Sequence, residues 1–262
     1  MDGLPGLPDG EVDAEAVVAT RLTESEAARL RCRLLHVAGA GLDGIALQAL
    51  RAGIRLANVY GHEIPMAEYA IWAVLDHCLN TAGAPTSLNA DTWAHAYYGR
   101  LLRDEAAGGT LGILGFGHIG AQLASRARAL GLRIVAITRG GTPQEQADET
   151  IPVEDLHETL PRLDYLVLAC PLTRQTRGLI DSAAPARMRP TAVLINVARA
   201  EVAVEGDLFL GLQQRKIAAA YLDVWYRYPR VGEDNVRPST LPFHELANAR
   251  CTLTSLLGWS DC

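Results

Sequence analysis

The residues best suited by type and spacing to do chemistry begin with Gly115-Phe116-Gly117-His118-Ile119-Gly120. The apolar run before it predicts a strand over 110–114. The periodic run after it predicts a helix over 118–130, with Ile119, Leu123, Ala127 and Leu130 on one face and Gly131 at the end. In such a setting the first glycine allows a tight turn, the second lets backbone approach a pyrophosphate, and the third lets helix and strand pack. Backbone N–H groups and the helix dipole at 118–121 favour the anion. All six residues are therefore candidate dinucleotide ligands; the plain alternative is a glycine-rich turn with no ligand.

The next strand, predicted over 134–138, would ordinarily end in an acid for the ribose 2′-hydroxyl. Here it ends in Thr138-Arg139-Gly140. Arg139 can pair with a 2′-phosphate, which places NADP ahead of NAD; otherwise it is a solvated loop arginine. Cys170-Pro171 ends a third strand beside the cofactor, where a buried, inert thiol is the default. Arg199 follows an apolar strand at its carboxyl end, where doubly wound sheets place ligands, and its guanidinium fork suits a carboxylate. Asp223 ends the following strand, as a site acid, a helix cap or a structural carboxylate.

Positioning these residues takes alternating strands and helices. Strands are predicted over 17–20, 34–37, 54–59, 110–114, 134–138, 165–170, 192–197, 218–224 and 251–255. Helices are predicted over 23–30 (with Thr23 and Glu26 in capping-box spacing), 64–79, 118–130, 153–160, 181–188 and 206–215. Residues 1–12 read as a loose tail. Residues 85–109 read as a connector with one helix. Six near-continuous apolar strands from 110 to 255 imply an α/β fold, a doubly wound parallel sheet covered on both faces.

Composition excludes several classes. The chain has 262 residues, 49% of them apolar, enough to bury a core. A net charge of −6 argues against a basic face for nucleic acid. No apolar run is long enough for a membrane span, and the start lacks the pattern of a signal peptide. Five cysteines without a C-x-x-C pair suit reduced thiols in a cytoplasm and give no metal site.

With the glycine turn, four further stretches carry a resemblance: Val37-Ala38-Gly39-Ala40-Gly41-Leu42-Asp43, Leu194-Ile195-Asn196-Val197-Ala198-Arg199, Ala220-Tyr221-Leu222-Asp223-Val224-Trp225, and Leu253-Thr254-Ser255-Leu256-Leu257-Gly258-Trp259. In this order they resemble the NAD(P)-dependent D-isomer-specific 2-hydroxyacid dehydrogenases, from about Val17 to Trp259. The resemblance implies a Rossmann cofactor domain and a smaller flavodoxin-like substrate domain, with the active site between them. The division is a substrate domain over 1–84, a connector over 85–109 and a dinucleotide-binding domain over 110–262. It further implies that Ala40 and Gly41 hold a substrate carboxylate through backbone amides, that Arg199 grips carboxylate and carbonyl, and that Asp223 holds the nicotinamide carboxamide. A small 2-hydroxy or 2-oxo acid is the expected substrate, and a homodimer the expected assembly.

Two catalytic groups depart from the family pattern. The family's histidine, which follows Thr-Pro, is replaced by Leu256 or Ser255, depending on the side from which the segment is aligned. Its glutamate before a proline is replaced by Tyr228 before Pro229. Neither Leu256 nor Ser255 shuttles a proton as imidazole does, and Tyr228 is a poor base near neutrality. His62, beside Glu63 in the loop after the third substrate-domain strand, is the best replacement candidate, against the plain reading of a loop histidine. His118 reads as a cofactor neighbour, His95 as a connector residue and His244 as a surface residue. The family's first strand–helix unit and closing helix also have no counterpart, so the substrate domain is expected to be truncated. Slow hydride transfer is one expectation; an NAD(P)- or anion-binding pseudo-enzyme is the other.

Overall fold

The structure is a computed structural model that describes residues 7–80, 89–99, 102–229 and 232–252. The first part runs β1 (Val12–Asp13), β2 (Ala16–Ala19), α1 (Glu24–Ala28), β3 (Leu30–Arg31), β4 (Leu34–Val37) and β5 (Arg55–Asn58). Then come the long helix α2 (Glu63–Leu79) and α3 (Ala90–Tyr98). Strands β2, β4 and β5 form a parallel three-stranded sheet in that order. The capping box at Thr23 is present: its hydroxyl accepts the Glu26 N–H, and Glu26 accepts the Thr23 N–H.

The expected loose tail over 1–12 is not the arrangement at its described end. Val12 pairs with Leu30 in parallel, and the Arg29 guanidinium donates to the carbonyls of Pro8 and Gly10. An arginine nineteen or more positions away fixes this stretch, which composition alone does not show.

The second part runs β6 (Thr110–Leu114), α4 (His118–Ala129), β7 (Arg133–Thr138), β8 (Glu149–Pro152), α5 (Leu156–Thr159), β9 (Tyr165–Leu168), α6 (Ala183–Arg187), β10 (Val193–Asn196), α7 (Glu205–Gln213), β11 (Ala219–Leu222) and β12 (Ala249–Cys251). These strands form one all-parallel sheet in the order β12-β11-β10-β9-β6-β7-β8. Seven strands stand where six were expected. The added one, β8, has a single buried apolar residue, Ile151, and ends in Pro152, which an edge strand tolerates. The helix expected over 153–160 is a short α5 between two 3₁₀ turns. The last strand is β12, earlier than the expected 251–255, of which 253–255 lie outside the described residues.

Strands β9, β10 and β11 are buried at every position. Side chains alternate between two cores, so Leu166 and Leu168 face one and Tyr165 and Val167 the other. The second core also holds Met66, Ala70 and Val74 of α2 with Leu123 and Ala127 of α4. Helix α2, which the sequence division assigns to 1–84, thus packs with the large sheet. The small sheet has its own core of Val17, Leu22, Leu30, Leu35 and Val37. Among the described residues no helix is long and apolar enough to cross a membrane.

Candidate active site

The chain order reverses between β6 and β9, which are sheet neighbours. Doubly wound sheets bind ligands at the carboxyl ends of strands at such a switch. The glycine turn lies there. Gly115 has φ +94°, a left-handed backbone, and a Cβ on it would strike the backbone of Ala169 and Cys170. A Cβ on Gly120 would stand 2.7 Å from the Gly115 carbonyl oxygen. A Cβ on Gly117 would meet nothing within 4 Å. The first and third glycines therefore close the turn, and the second opens onto free space at the N-terminus of α4, beside Phe116, His118 and Ile119. This cradle fits a pyrophosphate.

Thr138 ends β7, and its hydroxyl accepts the Gly141 N–H at 3.0 Å. Arg139 is exposed and makes no ion pair among the described residues. Cys170 packs on the glycine turn, and burial pushes its thiol up to about 11, so it stays protonated near neutrality. Asp223, just beyond β11, is buried, and its N–H donates to the Asn196 carbonyl.

The loop after β4 carries Ala40 and Gly41. Asn58 donates to the Ala40 carbonyl at 2.9 Å. The Ala40 and Gly41 N–H groups make no hydrogen bond among the described residues. The Arg199 guanidinium lies on this loop, so close that a Cβ on Gly41 would collide with it. Arg199 Nε donates to Asp43 at 3.1 Å and Nη1 to the Ala198 carbonyl at 2.9 Å. Asn196, almost fully buried at the end of β10, accepts the Ala198 N–H and donates to the Arg199 carbonyl. Two amides without a partner among the described residues and a cation, 158 residues or more apart in sequence, are thus brought together, groups whose chemistry suits an anion. Asp43 and Asn196 were not singled out by sequence reasoning, because their partners are visible only in the fold.

His62 is the N-cap residue of α2, partly buried, and makes no hydrogen bond or ion pair with Arg199. Its loop meets the glycine turn instead. The Tyr60 and His118 rings pack edge to face at 5.4 Å. The backbone N–H groups of Glu63 and Gly61 hold the Glu63 carboxyl below its usual range, with a contribution from His62 and His118. Tyr228 accepts the Trp225 N–H at 3.0 Å, closing the turn after β11. His95 lies on α3, and His244 is exposed beside Glu245. Ser255 and Leu256 lie outside the described residues.

Residues 71–255 match the model of the D-isomer specific 2-hydroxyacid dehydrogenase NAD-binding domain. The chain is 34% identical over 230 residues to a hydroxypyruvate reductase of Thermotoga maritima, covering 85% of this chain and 72% of that one. It is 30% identical over 237 residues to a glyoxylate reductase of Thermococcus kodakarensis, covering 86% and 70%. Its fold is similar to the NADPH-dependent glyoxylate/hydroxypyruvate reductase of Sinorhizobium meliloti, solved with NADP and sulfate, at a TM-score of 0.69 and 26% identity over 90% of this chain and 73% of that one. A family model across most of the chain and relatives aligned along most of it agree with the sheet order and the glycine turn: the chain belongs to the D-isomer specific 2-hydroxyacid dehydrogenase family and is an NAD(P)-dependent oxidoreductase of that type.

Proposed function

We propose that the chain reduces a small 2-oxo acid of the glyoxylate or hydroxypyruvate class, with NADPH preferred over NADH. The observation that carries this reading is the Arg199 guanidinium seated on Gly41 beside two amides that have no partner among the described residues. The cofactor, when bound, supplies the hydride. The protein's part is to hold the acid. The Ala40 and Gly41 amides take the carboxylate, and Arg199 bridges carboxylate and carbonyl, polarising the carbonyl as charge builds on its oxygen. Gly115, Phe116, Gly117, His118, Ile119 and Gly120 seat the dinucleotide against Cys170 and Pro171, Thr138 and Arg139 flank its ribose end, and Asp223 holds the carboxamide. His62 is our candidate for the proton, aided by Glu63, which stays ionised. The decisive experiment is NADPH oxidation with glyoxylate and hydroxypyruvate, and oxamate binding, for wild type and Arg199→Lys. Lysine keeps the charge but loses the fork, so both should weaken; equal oxamate affinity in the two proteins would overturn the reading.

The same reading includes a homodimer in the cytoplasm. Helix α3 buries none of its residues, and Trp93, Tyr97 and Tyr98 stay exposed on it. The four described cysteines are free thiols, as a reducing compartment keeps them. Light scattering on the purified protein tests the dimer.

A further inference from the structure

Arg199 does not stand alone; an acid from the loop after β4 holds it. Asp43 accepts from Arg199 Nε at 3.1 Å, and the two side chains are 27% and 41% exposed. A pair this open adds little to stability. Its consequence is orientation. A guanidinium has five N–H donors in a fixed plane. Asp43 takes Nε, the Ala198 carbonyl takes one hydrogen of Nη1, and Nη2 has no partner among the described residues. The end of the fork that remains open is the Nη2 end, which lies over Gly41 and beside the free amides of Ala40 and Gly41.

Both anchors of the pair are fixed. Asp43 sits in a turn closed by the Ile45 N–H on the Leu42 carbonyl, and this turn is pinned to Leu22 by hydrogen bonds through Gly44 and Ala46. Gly44 lies tight against the Thr20 carbonyl, where a Cβ would come within 3.0 Å. Arg199 is held at its backbone by Asn196. The absent Cβ of Gly41 is what lets the pair form, since a Cβ there would intrude on both the carboxylate and the guanidinium.

We propose that Asp43 is a positioning residue for the anionic substrate: it takes the Nε edge of Arg199 and so presents the Nη edge to the ligand carboxylate. This rests on the reading of Arg199 as the substrate's cation. An opposite consequence of the same contact would be competition, with Asp43 neutralising Arg199 and weakening anion binding. The two make opposite predictions.

The test is oxamate titration of the NADP(H)-saturated protein by calorimetry for wild type, Asp43→Ala, Asp43→Asn, Arg199→Ala and the double variant Asp43→Ala/Arg199→Ala. Removing Asp43 should weaken oxamate about tenfold or more, the range of one hydrogen bond to a charged group. Asp43→Asn keeps an oxygen for Nε and should restore most of the affinity, a rescue that competition by charge does not give. In the Arg199→Ala background Asp43→Ala should change nothing further. NADPH affinity and melting temperature should match wild type throughout, which separates positioning from misfolding. Unchanged or tighter oxamate binding in Asp43→Ala, with binding lost in Arg199→Ala, overturns the role of Asp43 and leaves that of Arg199 standing. Unchanged binding in Arg199→Ala overturns both.

Discussion

Gly115 and Cys170 meet backbone to backbone at the switch between β6 and β9: a Cβ on Gly115 would stand 2.5 Å from the Cys170 Cα and 2.6 Å from its nitrogen. Cys170 lies just beyond the end of the buried strand β9. The third residue of the same motif behaves differently, because Gly117 faces open space.

That contrast separates folding from binding. Gly115→Ala combines a left-handed φ with a backbone clash, so stability should fall by about 1–3 kcal/mol or more. Gly117→Val places its branches where a pyrophosphate is proposed to lie, and its Cβ would meet nothing within 4 Å. Its melting temperature should match wild type while NADPH binding is lost. Thermal unfolding and the fluorescence of bound NADPH check both; wild-type NADPH affinity in Gly117→Val would remove the phosphate assignment.

Arg139 should discriminate between the two nicotinamide cofactors. It is exposed, without an ion pair among the described residues, and follows a strand whose last residue, Thr138, already binds the Gly141 N–H. Arg139→Ala should weaken NADPH about ten- to a hundredfold, the range of a charge-assisted bond, and NADH little. A wild type that binds NADH tenfold tighter than NADPH contradicts the preference.

The sequence was legible where local pattern and tertiary role coincide. Buried parallel strands such as Val193–Asn196 read as continuous apolar runs, and the Thr23–Glu26 capping box reads from spacing alone. Strand Glu149–Pro152 was not legible, because a single buried isoleucine followed by proline carries no period. Arg199 could be placed at a strand end, but not on Gly41. The Asp43 contact joins loops 156 residues apart. Nor could the packing of α2 on α4 be read, since a helix with both apolar and mixed faces does not announce its partner.

Glu205 should anchor the excursion between β11 and β12. From the first turn of α7 it accepts from Ser239 Oγ at 2.6 Å, Thr240 N at 2.8 Å and Thr240 Oγ1 at 3.0 Å. Burial alone would raise its carboxyl, but these hydrogen bonds outweigh it and hold the group below its usual 4.5. A depressed folded value stabilises fully above pH 4.5 and loses that stabilisation as pH falls through the folded value. Glu205→Ala should therefore lower stability by about 1–3 kcal/mol at pH 7, with the gap to wild type closing in acid. Urea unfolding at pH 7 and below pH 4 measures it; a gap that persists in acid contradicts the clamp.

The rate of reduction should be set by the proton. Reducing a 2-oxo acid leaves an alkoxide unless a proton arrives with the hydride. The family draws that proton from a histidine, and the aligned residues here, Leu256 and Ser255, carry none. On the function proposed above, water or His62 supplies it. His62 lies on the loop that meets the glycine turn, without a hydrogen bond or ion pair to Arg199. Losing general acid–base help costs ~10²–10⁴-fold, while Arg199 in its proposed role still polarises the carbonyl, so activity should be slow but measurable. Leu256→His alone should recover little. The glutamate that would orient the new imidazole is Tyr228, and its oxygen is engaged by the Trp225 N–H. Small misplacements are costly in such steps. Steady-state NADPH oxidation over a panel of 2-oxo acids, for wild type, His62→Ala and Leu256→His, gives the answer. His62→Ala should slow the reaction further. A wild-type kcat within the ordinary range of ~1–10³ s⁻¹ that survives His62→Ala would show that another group delivers the proton.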